Sequence, residues 1–361
     1  MEPGASISPF SDWIFSFLDS SPNAAVKVLF SCAIYWFFIL SPIIYLLHFL
    51  ERKLAANIHM RLGPNRVGPF GVFQGISDHI KIIFKSGNTS AAKNGMSFIP
   101  TLVIALLFTA ITAIPVATQW QITELENSLV FICFVFIITK LFMFWNVYSA
   151  QGRFSELAAY RIIFDLIAAL VPILVSIISI CTISGTLDFT KIIELQGGAP
   201  WRWNLFHDPG SFVGGAVFYI SFLIWSYRGP FGGSASKNDL FGGASEGASG
   251  LSLFQFKQIE AMGFIFGLSL FVVLYLGGGK TPFSLDYFGK LASVIEFFVF
   301  CLKFFILAMF SFWIRWSLSE LRADQATQVA FNRLLPISLL ALIITVIWMT
   351  IFSSKGLFDL I

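Results

Sequence analysis

Charge is what this chain has least of: Asp, Glu, Lys and Arg together make up only 12% of its 361 residues. With 57% hydrophobic residues and a mean hydropathy of +0.80, it is too apolar to be a soluble globular protein of this length. Cysteine is also sparse. The four cysteines, Cys32, Cys133, Cys181 and Cys301, stand singly in apolar surroundings without a CxxC pair, and read as small core residues. The four histidines, His48, His59, His79 and His207, have no metal-ligand spacing, so no metal is expected on the chain. A net charge of only +3 gives no support for nucleic-acid binding. Residues 1–26 lack the basic start and cleavage site of a secretory signal. The absence of an internal repeat disfavours a solute transporter.

What the chain does have is long apolar runs, near 28–49, 97–117, 129–149, 163–184, 212–227, 260–279, 291–313 and 333–353. The fold class expected is therefore an all-α polytopic membrane protein with eight transmembrane helices in a single domain spanning 1–361. Its 23 lysines and arginines are unevenly placed. Fifteen fall in loops after spans one, three, five and seven, six fall on the opposite side, and Lys140 and Lys303 lie within spans. Because basic short loops stay on the cytoplasmic side, both termini are expected outside.

The segment at 50–96 opens with ERKLAANIHMRLGPNRVGPFGVFQGISDHIKIIFK, in which Glu51 to Lys85 carry eight charged side chains at the end of a span. Pro64 and Pro69 fix φ, while Gly63 and Gly68 admit turns that other residues resist, so the loop should be stiff and shaped. Glu51, Arg52 and Lys53 end span one, where their charged heads can sit at the headgroup level, and plain interfacial anchoring is the lesser of two readings against a role in a functional loop. Arg61 and Arg66 bracket the Gly-Pro-Asn turn, available to an acidic partner or to lipid phosphate. From Phe70, apolar Phe73, Ile76, Ile80, Ile83 and Phe84 alternate at helical spacing with Gln74, Asp78, Lys81 and Lys85, which predicts an interfacial amphipathic helix.

A second long inside loop, at 228–259, begins RGPFGGSASKNDLFGGASEGASG after WSY. Its Gly and Ser content suits a flexible linker, although long loops in compact proteins often carry function. Pro230 should break the helix beside Arg228. Within the spans, Lys140, Asp165, Glu296 and Lys303 are costly, roughly 2.5–3.5 kcal/mol each at the bilayer centre, and each needs a partner, water or a snorkelling route. Glu296 and Lys303 are about two turns apart on one helix face, too far to pair but placed to line one polar path.

The stretch Glu51–Lys85 closely resembles the ERK and RxGPNxVGPxGxxQ pattern, with its amphipathic helix, of the NuoH or mitochondrial subunit 1 family, the membrane subunit that builds the quinone site of respiratory complex I. The resemblance covers nearly the whole chain. Tyr227 to Phe231 look like the family's NRAPF, Leu276 to Gly278 its LGG turn, Arg315 with Arg322, Asp324 and Gln325 its penultimate loop, and Asn332 to Pro336 the start of its last span. The sequence departs from the pattern after Phe231, where Gly232 to Leu240 replace DLPEAESEL and only Asp239 keeps a carboxylate. It departs again where Glu156 stands for an arginine, Ile163, Phe164 and Asp165 for a serine-tyrosine-glutamate, and Ser86 for a glutamate.

The resemblance implies the quinone-chamber subunit of a proton-translocating NADH:quinone oxidoreductase, not catalytic in isolation. It implies ubiquinone or menaquinone as the bound group, and no metal or flavin on this chain. Chamber residues would be Glu51, Arg52, Arg61, Arg66, Asp78, Lys81, Arg228, Phe231, Asp239 and Glu246. Asp165, Glu260, Glu296 and Lys303 would lie on a proton path. Partners would be soluble iron-sulfur and quinone-site subunits on the cytoplasmic side, antiporter-like and small membrane subunits, and lipid. The location would be a bacterial inner membrane, or the mitochondrial one if the chain is organellar. The alternatives are the homologous subunit of a membrane-bound hydrogenase or formate hydrogenlyase, and a scaffold that has lost coupling with its carboxylates.

Overall fold

The computed structural model describes residues 34–85, 98–117, 127–150, 152–231, 245, 248, 250–283 and 291–353. Among them the chain is helical, without a strand. The helices are α1 (Ser41–Ile58), α2 (Gln74–Ile83), α3 (Ile99–Ala113), α4 (Ser128–Tyr148), α5 (Arg153–Ser184) and α6 (Phe189–Gln196). They continue with α7 (Pro209–Trp225), α8 (Leu251–Tyr275), α9 (Leu291–Ser317), α10 (Ala323–Val329) and α11 (Leu335–Ser353). A π-helical turn, Tyr35–Leu40, leads into α1, and another, Ala330–Leu334, joins α10 to α11.

A helix falls in each of the eight apolar runs, yet among the described residues only five stretches, Ser128–Tyr148, Phe154–Ser184, Leu251–Tyr275, Leu291–Ser317 and Ala323–Ile351, are long and apolar enough to cross a bilayer by themselves. The reasons are physical. At 1.5 Å per residue, α3 and α7 extend about 22 and 25 Å, short of a hydrocarbon core of about 30 Å. In α1 the Glu51–Arg52–Lys53 cluster charges its last turns. Two expected boundaries also move. The amphipathic helix starts at Gln74, after a 3₁₀ turn at Pro69–Gly71, and α8 starts at Leu251, so the long loop after α7 ends well before residue 259.

Helix α8 is the axis of the bundle. In its most apolar window 94% of residues are buried, against 22% for the window spanning α10 and α11, which leaves most of the last helix exposed. It packs on α2, α3, α6, α7 and α9. Close approach to α7 depends on Gly267, where a Cβ would lie 1.7 Å from the Phe222 ring. Asp208 caps α7 by accepting from the Ser211 amide at 3.0 Å, with Pro209 in the first turn, where its missing N–H costs nothing. Rings from four elements, Phe136, Phe222, Trp225, Phe264, Phe266 and Phe312, fill the centre.

The C-terminal end of α8 is capped by side chains from distant segments. Gln196 donates to the carbonyls of Val273 (3.0 Å) and Leu274 (3.1 Å), and Asn204 donates to Leu274 (2.9 Å). Lys303 of α9 donates to the carbonyls of Leu276 (2.7 Å) and Gly278 (2.8 Å), its ammonium 4.5 Å from the Trp203 ring. Carbonyls left over at a helix end need such donors. Lys303→Met should therefore leave them unpaired and destabilise the fold by about 1–3 kcal/mol, measured as earlier thermal aggregation in detergent. Unchanged melting would remove Lys303 from this capping role.

Candidate functional site

The loop after α1 is held by its own backbone. Lys53 donates to the Pro64 carbonyl at 3.4 Å, and Gly71, at φ +85°, lies so close to Pro64 that a Cβ would be 2.4 Å from its carbonyl oxygen. The turn exposes Met60, Leu62 and Phe70 together with Arg61 and Arg66. Helix α2 then returns against α1 and α8. His79 anchors it: the ring is buried, its Nδ1 lies 2.6 Å from the Gly75 carbonyl, and it packs on Tyr45, His48 and Phe254. On the outer side of the same helix Arg52 pairs with Asp78, which also accepts from Gln74 at 2.8 Å.

Both titratable anchors of α2 favour higher pH. Burial pushes the His79 imidazole below its ordinary value of 6.5. Burial alone would raise the Asp78 carboxyl, but the hydrogen bond and charge of Arg52, with Gln74, hold it below 3.8. A folded pKa below the unfolded one gives stability that is complete above the unfolded value and is lost as pH falls. Amide protection in α2, corrected for intrinsic exchange, should therefore fall as pH drops below about 6.5, and again below about 3.9. The exposed Arg52–Asp78 pair contributes only about 0–1 kcal/mol, so Asp78→Asn should blunt the second step and leave the first intact.

Residues near the ends of three helices meet at one carboxylate. Glu51 of α1 accepts from Arg228 just past α7 at 2.9 Å, and also from Arg315 in the last turn of α9. Arg228 is buried, stacks over Phe264 at 4.7 Å and lies 3.8 Å from Glu260 of α8. This carboxylate clasp is possible because the ends of α1, α7 and α9 share one end of the bundle with the start of α8. Around it opens a cavity of about 550 Å³, lined by His48, Glu51, Arg52, Arg61, Arg228, Glu260, Arg315 and Trp316 with the turn Leu62–Pro64. Arg228 Nε and Trp316 Nε1 are buried donors without an acceptor among the described residues.

A second cavity, of about 270 Å³, lies deeper and is more apolar. Leu107, Met143, Ile162, Trp225, Phe256 and Gly263 line it, with Thr139, Lys140, Tyr227, Lys257 and Glu260 as its polar groups. Glu260 belongs to both cavities.

Of the residues expected from sequence, Glu51, Arg52, Arg61, Arg228 and Glu260 converge on the first cavity. Phe231 is buried near it, its amide bonded to the Arg228 carbonyl at 3.2 Å. Arg66 and Lys81 are exposed and line neither cavity, and Asp78 serves α2. Asp165 is buried on α5, Glu296 half-buried on α9, and Lys303 is spent on the end of α8. Asp239 and Glu246 lie outside the described residues, as does Ser86. Sequence reasoning did not assign Arg315, His48 or Trp316 to the site. Arg315 ends an apolar run as any interfacial anchor does, and only its long-range bond to Glu51 distinguishes it.

Among the described residues no group of three or more His, Cys, Asp or Glu is placed to hold a metal ion. A family model described as NADH dehydrogenase matches residues 30–346. An F(420)H(2) dehydrogenase subunit of Methanosarcina mazei is 30% identical over 303 residues, 81% of this chain and 85% of that protein. An NADH-quinone oxidoreductase subunit of Salinibacter ruber is 26% identical over 86% of this chain and 93% of its own length. Its counterpart in Brevibacillus brevis is 28% identical over 86% and 89%. With a match running from the π turn before α1 through most of α11, the chain belongs to the NADH dehydrogenase family.

Proposed function

We propose that this chain is the membrane subunit of a proton-translocating, complex I-type quinone oxidoreductase, and that the cavity around Glu51, Arg228 and Arg315 receives the quinone head group. The observation that carries this reading is the pairing of unspent donors with a surplus of positive charge in one opening: Arg228 Nε and Trp316 Nε1 have no acceptor among the described residues, and among the lining residues Arg52, Arg61, Arg228 and Arg315 face only Glu51 and Glu260. A quinone supplies two carbonyl oxygens as acceptors and, on reduction to quinol, takes up two electrons and two protons. Cations at about 2.7–3.1 Å from an oxygen that gains charge are the usual way a site stabilises such a change. Glu51 keeps Arg228 and Arg315 in place, so that the positive edge is fixed before the substrate arrives.

The chain spans the membrane with eight helices, α3 and α7 completed by their flanking turns, and both termini face outward in an inner membrane. The names of its relatives differ in electron donor, NADH in one group and F(420)H(2) in the other, while each matches more than four fifths of this chain. The donor is accordingly read by other subunits. The exposed turn Met60–Phe70 is the contact for a soluble iron-sulfur partner, and the apolar outer faces of α9 and α11 meet lipid or further membrane subunits. Asp239 and Glu246 are assigned to the chamber, and Asp165, Glu260 and Glu296 to the proton path.

Arg61→Ala and Trp316→Phe, assayed in isolated membranes with a short-chain quinone, test the assignment. Loss of one donor hydrogen bond of about 1.4 kcal/mol should raise the quinone KM about tenfold in each. Wild-type KM in both variants, in fully assembled complex, removes the head group from this cavity.

A further inference from the structure

The opening around Glu51 carries positive charge that binding a neutral quinone leaves unused. Arg52, Arg61, Arg228 and Arg315 line it against Glu51 and Glu260, and one positive charge stays unanswered even when Asp78 is counted against Arg52. The excess centres on Arg61. It stands exposed at the rim with no carboxylate partner among the described residues, whereas Glu51 accepts from one nitrogen each of Arg228 and Arg315. Arg228, 5% exposed, still holds out a buried Nε, and Trp316 a buried Nε1, neither with an acceptor among the described residues. The indole packs on the His59 ring at 5.5 Å and on the Arg315 guanidinium at 5.6 Å.

A quinone arrives uncharged, so a surplus cation adds little to its binding before electrons reach it. A carboxylate brings a full charge. Hydrogen bonds between ionised partners are roughly twice as strong as neutral ones, and the guanidinium fork matches the two oxygens of a carboxylate. Ala55, Ala56 and Leu62 add an apolar wall beside these donors, and Met60 and Leu62 stand exposed on either side of Arg61 in the chain. A small inorganic anion makes no use of that wall, whereas an alkyl chain takes it out of water. The volume of about 550 Å³ is that of an ordinary small-molecule site, roughly 300–1,000 Å³, which favours one chain over the two of a phospholipid.

We propose that this opening also binds a single-chain anionic amphiphile, a long-chain fatty-acid carboxylate, and that its occupancy keeps the quinone head group out. The inhibitory part rests on the chamber reading above, while the binding part rests on the unanswered charge, the unspent donors and the apolar wall. The carboxylate lies against Arg61, Arg228 Nε and Trp316 Nε1, and the alkyl chain leaves over Leu62 and Met60. No covalent bond is made or broken. The site thereby ties the rate of quinone reduction to the free fatty-acid content of the membrane through competition alone.

Decanoate, methyl decanoate and decylammonium, of equal chain length and with concentrations counted in the membrane phase, separate charge from hydrophobicity when added to intact complex in isolated membranes. Decanoate should raise the quinone KM with kcat unchanged, at an inhibition constant about tenfold below that of the ester, and decylammonium should be the weakest of the three. Arg61→Gln, which keeps a donor but not the charge, should bring acid and ester together. Equal inhibition by acid and ester in the wild type overturns the proposal, as does a preference for the acid that survives undiminished in Arg61→Gln. A photoreactive fatty acid on the same complex gives a readout independent of turnover. Crosslinks to the peptides of Arg61 and Trp316, displaced by decanoate, support the site even if quinone fails to compete, and in that case it is the chamber reading that falls. Crosslinks confined to the outer faces of α9 and α11 overturn the site and leave the chamber reading standing.

Discussion

Glu51→Ala should cost the assembled protein about 3–5 kcal/mol, the largest effect expected of any single side chain in the site. The reason is asymmetry between making and breaking a buried pair. Glu51 is 8% exposed and accepts from both Arg228 and Arg315. Removing it leaves two guanidinium groups facing each other across a space they cannot leave, one of them almost fully buried. Glu260, 3.8 Å from Arg228 and partly exposed, is too far and too hydrated to substitute. Glu51→Gln keeps the shape and one acceptor but not the charge, and should fall between alanine and wild type. The double variant Glu51→Met with Arg228→Met should be less damaged than the sum of its parts, since Arg315, with 30% of its side chain exposed, can take water instead. Thermal inactivation of quinone reductase in detergent extracts reads the series. Equal stability of Glu51→Ala and wild type would mean that the clasp contributes nothing.

Much of this arrangement was legible in the sequence, for reasons that differ by residue. The eight apolar runs were visible because a membrane interior imposes composition on a helix wherever it packs. Glu51 stood out because it opens the ERK cluster that leads into the GPNRVGP loop and resembles the family pattern. Arg228 is placed beside it by the resemblance, whereas Arg315 is not, and no local pattern joins Glu51 to either, 177 and 264 residues away. Lys303 was visible as an intramembrane cation, but no neighbouring residue signals that its partners are backbone carbonyls at the end of another helix. Helix boundaries moved where propensity and hydropathy disagree. Residues 251–259 include Gln255, Lys257 and Gln258, which read as loop by polarity, yet all are good helix formers and extend α8 by about two turns beyond the apolar run. That extension brings Lys257 and Glu260 to the deeper cavity.

Gly71→Ala is the second large effect, and it tests the loop rather than the charges. At φ +85° an added Cβ costs about 1–2 kcal/mol in backbone conformation alone. The greater part is the collision: the new carbon would lie 2.4 Å from the Pro64 carbonyl oxygen and 2.8 Å from the Asn65 amide nitrogen, both backbone atoms of the turn that walls the cavity. Neither can yield unless the Gly63–Pro64–Asn65 turn shifts and carries Arg61 with it. Gly68→Ala is the informative control, because its φ is also positive, +72°, but its Cβ would meet only the ring of half-exposed Phe73, which can rotate away. Quinone KM should therefore rise sharply in Gly71→Ala and much less in Gly68→Ala, although the Gly68 backbone, at φ +72° and ψ −172°, lies in a region essentially reserved for glycine. If the two variants were impaired alike, strain at the turn would account for the loss, and close packing of Gly71 on Pro64 would have no part in shaping the opening. A difference in the expected order ties the shape of the opening to a single backbone contact between the two halves of the loop.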